Sequence, residues 1–163
     1  MSVITTTTIP LTTDLKPDNI GFSADGRLKL FDFGLVTCVP SRSHESQAYQ
    51  LTGYTGSLRY MAPEVALSEC YNEKVDVYSF AMVVWQMAAN KVPFEGFGKV
   101  AFMQEVVVDH LRPPMSRSWP PEFSQLLDSC WRRTPEERPS FESILLAIDQ
   151  LLQQTAAHKS KCI

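Results

Sequence analysis

This chain lacks the positive charge that nucleic acid or an anionic membrane surface would select: its 163 residues carry a net charge of −3, with a pI of about 5.6. It also lacks paired thiols. Cys38, Cys70, Cys130 and Cys162 are scattered, with no C-x-x-C pair, and no secretory signal is seen, which points to reduced thiols in the cytoplasm or nucleus. No apolar run is long enough to insert in a membrane. The longest, Val75–Ala89, is too short and carries Asp76, Ser79 and Gln86. Cys162, one place before Ile163, fails the prenylation pattern. Internal repeats are absent as well. What remains is a chain that is 44% hydrophobic, enough for one compact domain with a core.

Against that background, three short motifs stand out in order: Asp14-Leu-Lys-Pro-Asp-Asn19, Asp32-Phe-Gly34 and Ala62-Pro-Glu64. The first offers a carboxylate, an ammonium and an amide within one loop. The apolar run Leu28–Phe31 then reads as a strand delivering a second carboxylate, Asp32, beside the flexible Gly34. A carboxylate to receive a hydroxyl proton, a cation for phosphate oxygens and a carboxylate–amide pair for Mg²⁺ are what phosphoryl transfer requires. Singly, each motif is a weak signal. Together they resemble the catalytic loop, metal-binding loop and activation-segment anchor of a eukaryotic protein kinase.

The resemblance implies roles. Asp14 would accept the substrate proton, Lys16 would touch the γ-phosphate of ATP, and Asn19 with Asp32 would hold Mg²⁺. Phe33 would pack inward, and Gly34 would let the loop move. Ser57 occupies the place of a hydroxyl that bridges the catalytic Asp and Lys in Ser/Thr enzymes. Read without the family, Asp14 could cap a turn, Lys16 could be a solvated charge and Asn19 could begin a strand. Two departures matter. Gly21 stands where the family places a bulky aliphatic residue beneath the adenine, which weakens that floor. Thr12 and Thr13 stand where His-Arg is usual, and the missing arginine ordinarily receives an activation-loop phosphate.

Residues 1–13, threonine-rich and without helical period, read as an unstructured or loosely strand-like leader. Asn19–Phe31 reads as two short strands around an Asp25-Gly26 turn. Leu35–Tyr60 is a long polar segment, the activation loop by resemblance, with Thr52, Tyr54 and Thr55 as candidate phosphosites. Val75–Ala89 is apolar on every side and predicts a helix buried all round. Asp76 near its start is either a carboxylate that ties down the catalytic loop, as in kinases, or a simple N-terminal helix charge. Gly98–Asp109 reads as a moderately amphipathic helix. Arg112–Pro121 is a rigid, proline-rich connection.

Phe123, Leu126, Leu127, Cys130 and Trp131 fall on one helical face. Thr134–Glu137 has a capping-box pattern. A last helix, with Ser140 as cap, carries Ile144, Leu145, Ile148, Leu151 and Leu152 on one side. By resemblance, Arg138 pairs with Glu64. The tail 155–163 reads as frayed.

The expected fold is therefore mainly α with a small β-hairpin: the large helical lobe of a protein kinase over residues 14–154, without the small β lobe. Lys16, the run Asp76-Val-Tyr-Ser-Phe80 and the pairing of Cys130-Trp131 with Arg138-Pro-Ser-Phe141 resemble the tyrosine-kinase-like group of Ser/Thr kinases. A glycine-rich loop and a strand lysine do not precede Asp14. Two readings follow. One is a Ser/Thr kinase acting on protein substrates with ATP and Mg²⁺, weak or inactive as this chain alone and completed by a missing small lobe. The other is a non-catalytic, kinase-derived scaffold that binds partner proteins.

Overall fold

The computed structural model describes residues 8–34, 36–40 and 58–161. Ser57, Thr52, Tyr54 and Thr55 lie outside the described residues. In chain order the elements are β1 (Thr8–Leu11), β2 (Ile20–Phe22), β3 (Leu28–Leu30), β4 (Thr37–Pro40), α1 (Pro63–Ala66), α2 (Lys74–Ala89), α3 (Lys99–Ala101), α4 (Pro121–Cys130) and α5 (Phe141–Lys161). A π-helical stretch, Phe102–Val108, prolongs α3. The mainly helical reading holds, and no described helix is long and apolar enough to cross a membrane.

The core is organised around α2. Its N-terminal part is buried on nearly every side: Val75, Val77, Tyr78, Ala81, Met82 and Trp85 are all buried, and Lys74, Asp76 and Ser79 are buried with them, so it is wrapped by other elements rather than laid on a surface. Asn72 starts it, its side-chain carbonyl accepting the Lys74 amide at 3.0 Å. Asn90, left-handed at φ 50, ends it. The expectation of burial all round holds only as far as Trp85; Met87 is 75% exposed. Helix α4 packs on α2 and on α5, contributing Leu127 and Cys130 to the core, with Trp131 directly behind.

Several expectations need correction. Residues 8–13 are not an unstructured leader. Thr8–Leu11 pairs antiparallel with Thr37–Pro40, Leu11 opposite Thr37, and Leu11 is fully buried. Adjacent β-branched residues, Thr8 and Ile9, suit a strand, and a two-stranded ribbon tolerates Pro10 because each strand is an edge. Among the described residues the β content is thus two separate two-stranded sheets rather than one hairpin. The hairpin that was expected is present, with Ile20 opposite Leu30 and Gly26 taking φ 79 in its turn.

At the other end, α5 continues through the expected tail to Lys161. Ser140 does cap it, its hydroxyl accepting the Ser143 amide at 3.2 Å. Ile144 is buried and Ile148 and Leu151 are half-buried, whereas Leu145 and Leu152 are exposed, because only the 144, 148, 151 stripe faces α4. Thr134 precedes a single 3-10 turn, Pro135–Glu137, without a side-chain cap.

Candidate active site

The loop between β1 and β2 is held from beneath by one carboxylate. Asp76 enters near the start of α2 and is buried. It accepts the Thr12 amide at 2.8 Å, the Thr12 hydroxyl at 2.9 Å and the Thr13 amide at 3.0 Å. Burial pushes its carboxyl above the ordinary 3.8, and the three threonine donors pull the other way. Of the two readings of Asp76, the loop-tying one is what the geometry contains. Thr13 is turned into the left-handed region, φ 50, which redirects the chain into Asp14.

Beyond Thr13 the loop folds on itself. Lys16 Nζ donates to Asp14 Oδ2 at 2.6 Å. This contact, ahead of every other influence, raises the lysine's pKa above 10.5. A 3-10 turn, Pro17–Asn19, begins with proline at its first position and buries Asn19. The Asn19 amide nitrogen then donates back to the Asp14 carbonyl at 2.9 Å and to its carboxylate at 3.2 Å. Both amide hydrogens are used there, which leaves the Asn19 side-chain carbonyl as the free end of the group.

The strand β3 delivers Asp32. Phe31 donates its amide to the Asn19 carbonyl at 2.8 Å, extending the hairpin by one bond. Asp32 then adopts φ 56, a strained conformation for a residue that is not glycine. Its Oδ1 accepts the Gly34 amide at 3.1 Å. Asp14, Asn19, Phe31 and Asp32 line one cleft of about 10 Å³, room for roughly a single water. The roomier hollows lie elsewhere. One of about 400 Å³ is lined by Leu67, Cys70, Val107, His110 and Arg133.

Phe33 does not pack inward. It is 63% exposed, and Phe22, Leu28 and Phe31 are exposed with it. Phe22 and Leu28 expose apolar surface on one face of the hairpin, and Phe31, which lies against Gly21, exposes it on the other, beside the cleft.

The far end of the segment is anchored through α1. Glu64, in that short helix, is buried, and so is Arg138. The guanidinium makes two bonds to the carboxylate, 2.6 and 3.0 Å, and gives others to the carbonyls of Lys74 and Arg132 at 3.0 and 2.9 Å. Buried Lys74 returns a bond from Nζ to the Arg138 carbonyl at 2.9 Å. This pair was legible in the sequence; the supporting Lys74 was not, nor was the part played by Thr12. A lysine at the first position of an apolar helix and a hydroxyl residue just ahead of a catalytic-type loop were the available signals.

Residues 11–148 match the protein kinase domain family. A probable serine/threonine-protein kinase of Dictyostelium discoideum is 33% identical over 138 residues, which is 85% of this chain and 14% of that protein. The serine/threonine/tyrosine-protein kinase HT1 of Arabidopsis thaliana is 34% identical over 84% of the chain and 34% of its own length. Mitogen-activated protein kinase kinase kinase 7 of Drosophila melanogaster is 33% identical over 90% of the chain and 21% of its own length. The chain therefore spans about a third or less of these relatives. With its family match over most of its length, the chain belongs to the protein kinase family.

Proposed function

We propose that the Asp14–Asp32 cleft is a phosphoryl-transfer site, moving the γ-phosphoryl of ATP to hydroxyl groups of protein substrates. The observation that carries this reading is the cleft shared by Asp14, Asn19 and Asp32. Two carboxylates and an amide oxygen are hard donors. Such a sparse set suits Mg²⁺, which keeps several waters and binds substrate phosphates. The ion, held by Asn19 and Asp32, would supply charge neutralisation for the phosphates.

Asp14 accepts the proton as the substrate hydroxyl oxygen bonds to Pγ and the bond from Pγ to the leaving oxygen of ADP breaks. Lys16, cationic at neutral pH and held against Asp14 at 2.6 Å, would swing to the phosphate oxygens. Asp76 fixes the Thr12–Thr13 backbone so that Asp14 holds its place. Positioning and charge account for most of such catalysis. By resemblance Ser57 would bridge Asp14 and Lys16, and Thr52, Tyr54 or Thr55 would carry a regulatory phosphate.

The exposed apolar face that Phe31 builds beside Gly21 is the surface a nucleotide-covering lobe would bury. Where residues 1–163 act with no such cover in place, the nucleotide would be held from one side and transfer would be slow. The free thiols Cys70 and Cys130 fit work in the cytoplasm or nucleus. The same apolar face favours a second reading, a protein-binding scaffold without catalysis. Titration of Mg·ATP by calorimetry separates them: the site reading predicts Mg²⁺-dependent binding that Asp32→Ala removes, and the scaffold reading predicts none.

A further inference from the structure

Phe31 and Gly21 form a matched pair across the hairpin. Were Gly21 to carry a side chain, its Cβ would sit 2.6 Å from Phe31 Cε2 and 3.3 Å from Cζ. The phenyl edge therefore rests on the bare backbone of β2. The absence of a side chain on one strand makes room for a large ring from the other. Yet the ring is 52% exposed, so it is seated by its edge while much of its surface stays open. It also borders the cleft of Asp14, Asn19 and Asp32 and directly precedes Asp32 in the chain.

We propose that Phe31, seated on Gly21, is the stacking platform for the base of the bound nucleotide. This rests on the reading of the Asp14–Asp32 cleft as the phosphate and metal end of the site. A nucleotide whose phosphates lie there must extend its base over a neighbouring surface. Phe31 offers a half-exposed ring directly before the residue that anchors the metal end. Stacking on a ring tolerates any base, because every base has a π-face, whereas hydrogen bonds to the base edge discriminate. The platform thus makes this site permissive between adenine and guanine nucleotides. The Gly21 departure is not a loss of the floor; the floor is transferred to Phe31.

The experiment is calorimetric titration of the full 163-residue chain with Mg·ATP, Mg·GTP and Mg·tripolyphosphate, the last having phosphates and no base. The parent binds both nucleotides with similar affinity and tighter than tripolyphosphate. Phe31→Ala weakens both nucleotides by about five- to a hundredfold and leaves tripolyphosphate unchanged. Gly21→Val, which pushes the ring off its seat while keeping Phe31, weakens both nucleotides in the same way. Circular dichroism confirms that each variant is folded.

Unchanged or tighter nucleotide binding in Phe31→Ala overturns the platform, the latter showing that the ring blocks the base. Equal loss of tripolyphosphate also overturns it, since Phe31 then only supports the loop. If the parent binds tripolyphosphate as tightly as ATP, the platform fails while the phosphate site stands. If the parent binds none of the three, both fail.

Discussion

Arg138 and Glu64, separated by 74 positions, close a bidentate ion pair with N–O distances of 2.6 and 3.0 Å inside the protein. The guanidinium also lies over the Tyr78 ring, 5.2 Å from its centroid. One side chain thereby joins α1, the start of α2 and the turn before α5.

Breaking that pair from one side leaves a buried carboxylate without its cation and strands two carbonyls. Arg138→Met is predicted to lower unfolding free energy by about 3–5 kcal/mol. Urea denaturation of parent and variant measures this. An unchanged midpoint means that the pair contributes nothing.

Tyr78 is the opposite case. Its hydroxyl is buried and has no hydrogen-bond partner among the described residues, and burial pushes its pKa up to about 12. Arg112 and Arg138 both lie over the ring, at 5.1 and 5.2 Å, so the aromatic face is what the site uses. Tyr78→Phe keeps that face and removes the stranded oxygen. The expected outcome is a gain of about 1 kcal/mol in the same denaturation experiment; a loss would place a bond on the hydroxyl.

Asp76 sets a pH dependence of unusual sign. Its carboxyl is raised above 3.8, chiefly by burial, so the folded state favours the neutral form. Its contribution to stability is greatest below pH 3.8 and declines as pH rises through the raised value, then levels off. The stability of the parent relative to Asp76→Asn is therefore predicted to fall over that window, by at most about 1.4 kcal/mol per pH unit. A relative stability that climbs with pH would show that the threonine donors outweigh burial. Thr12→Val, which deletes the hydroxyl donor, is predicted to destabilise by about 1.5–3 kcal/mol, the range for a bond to a charged group.

Much of this was legible in the sequence where the signal was local or tightly spaced. An apolar run around all sides could only be the buried α2. The Asp-Gly dipeptide placed the hairpin turn. Glu64 with Arg138 followed from resemblance to the family. What failed depended on non-local neighbours. β1 exists because Thr37–Pro40 pairs with it, a partner no local pattern in residues 8–11 announces. Phe33 is 63% exposed, and its expected burial came from the resemblance alone. Phe31 and Gly21 look like unrelated positions until the hairpin register sets ring against backbone.

The most direct measurement is transfer of labelled γ-phosphate from Mg·ATP to a generic basic protein substrate by the 163-residue chain, beside its Asp14→Asn variant. The account predicts Mg²⁺-dependent transfer well below the roughly 1–100 s⁻¹ of complete kinases, abolished by Asp14→Asn with nucleotide binding retained. Transfer that survives Asp14→Asn contradicts it, and so does a chain that neither transfers phosphate nor binds Mg·ATP.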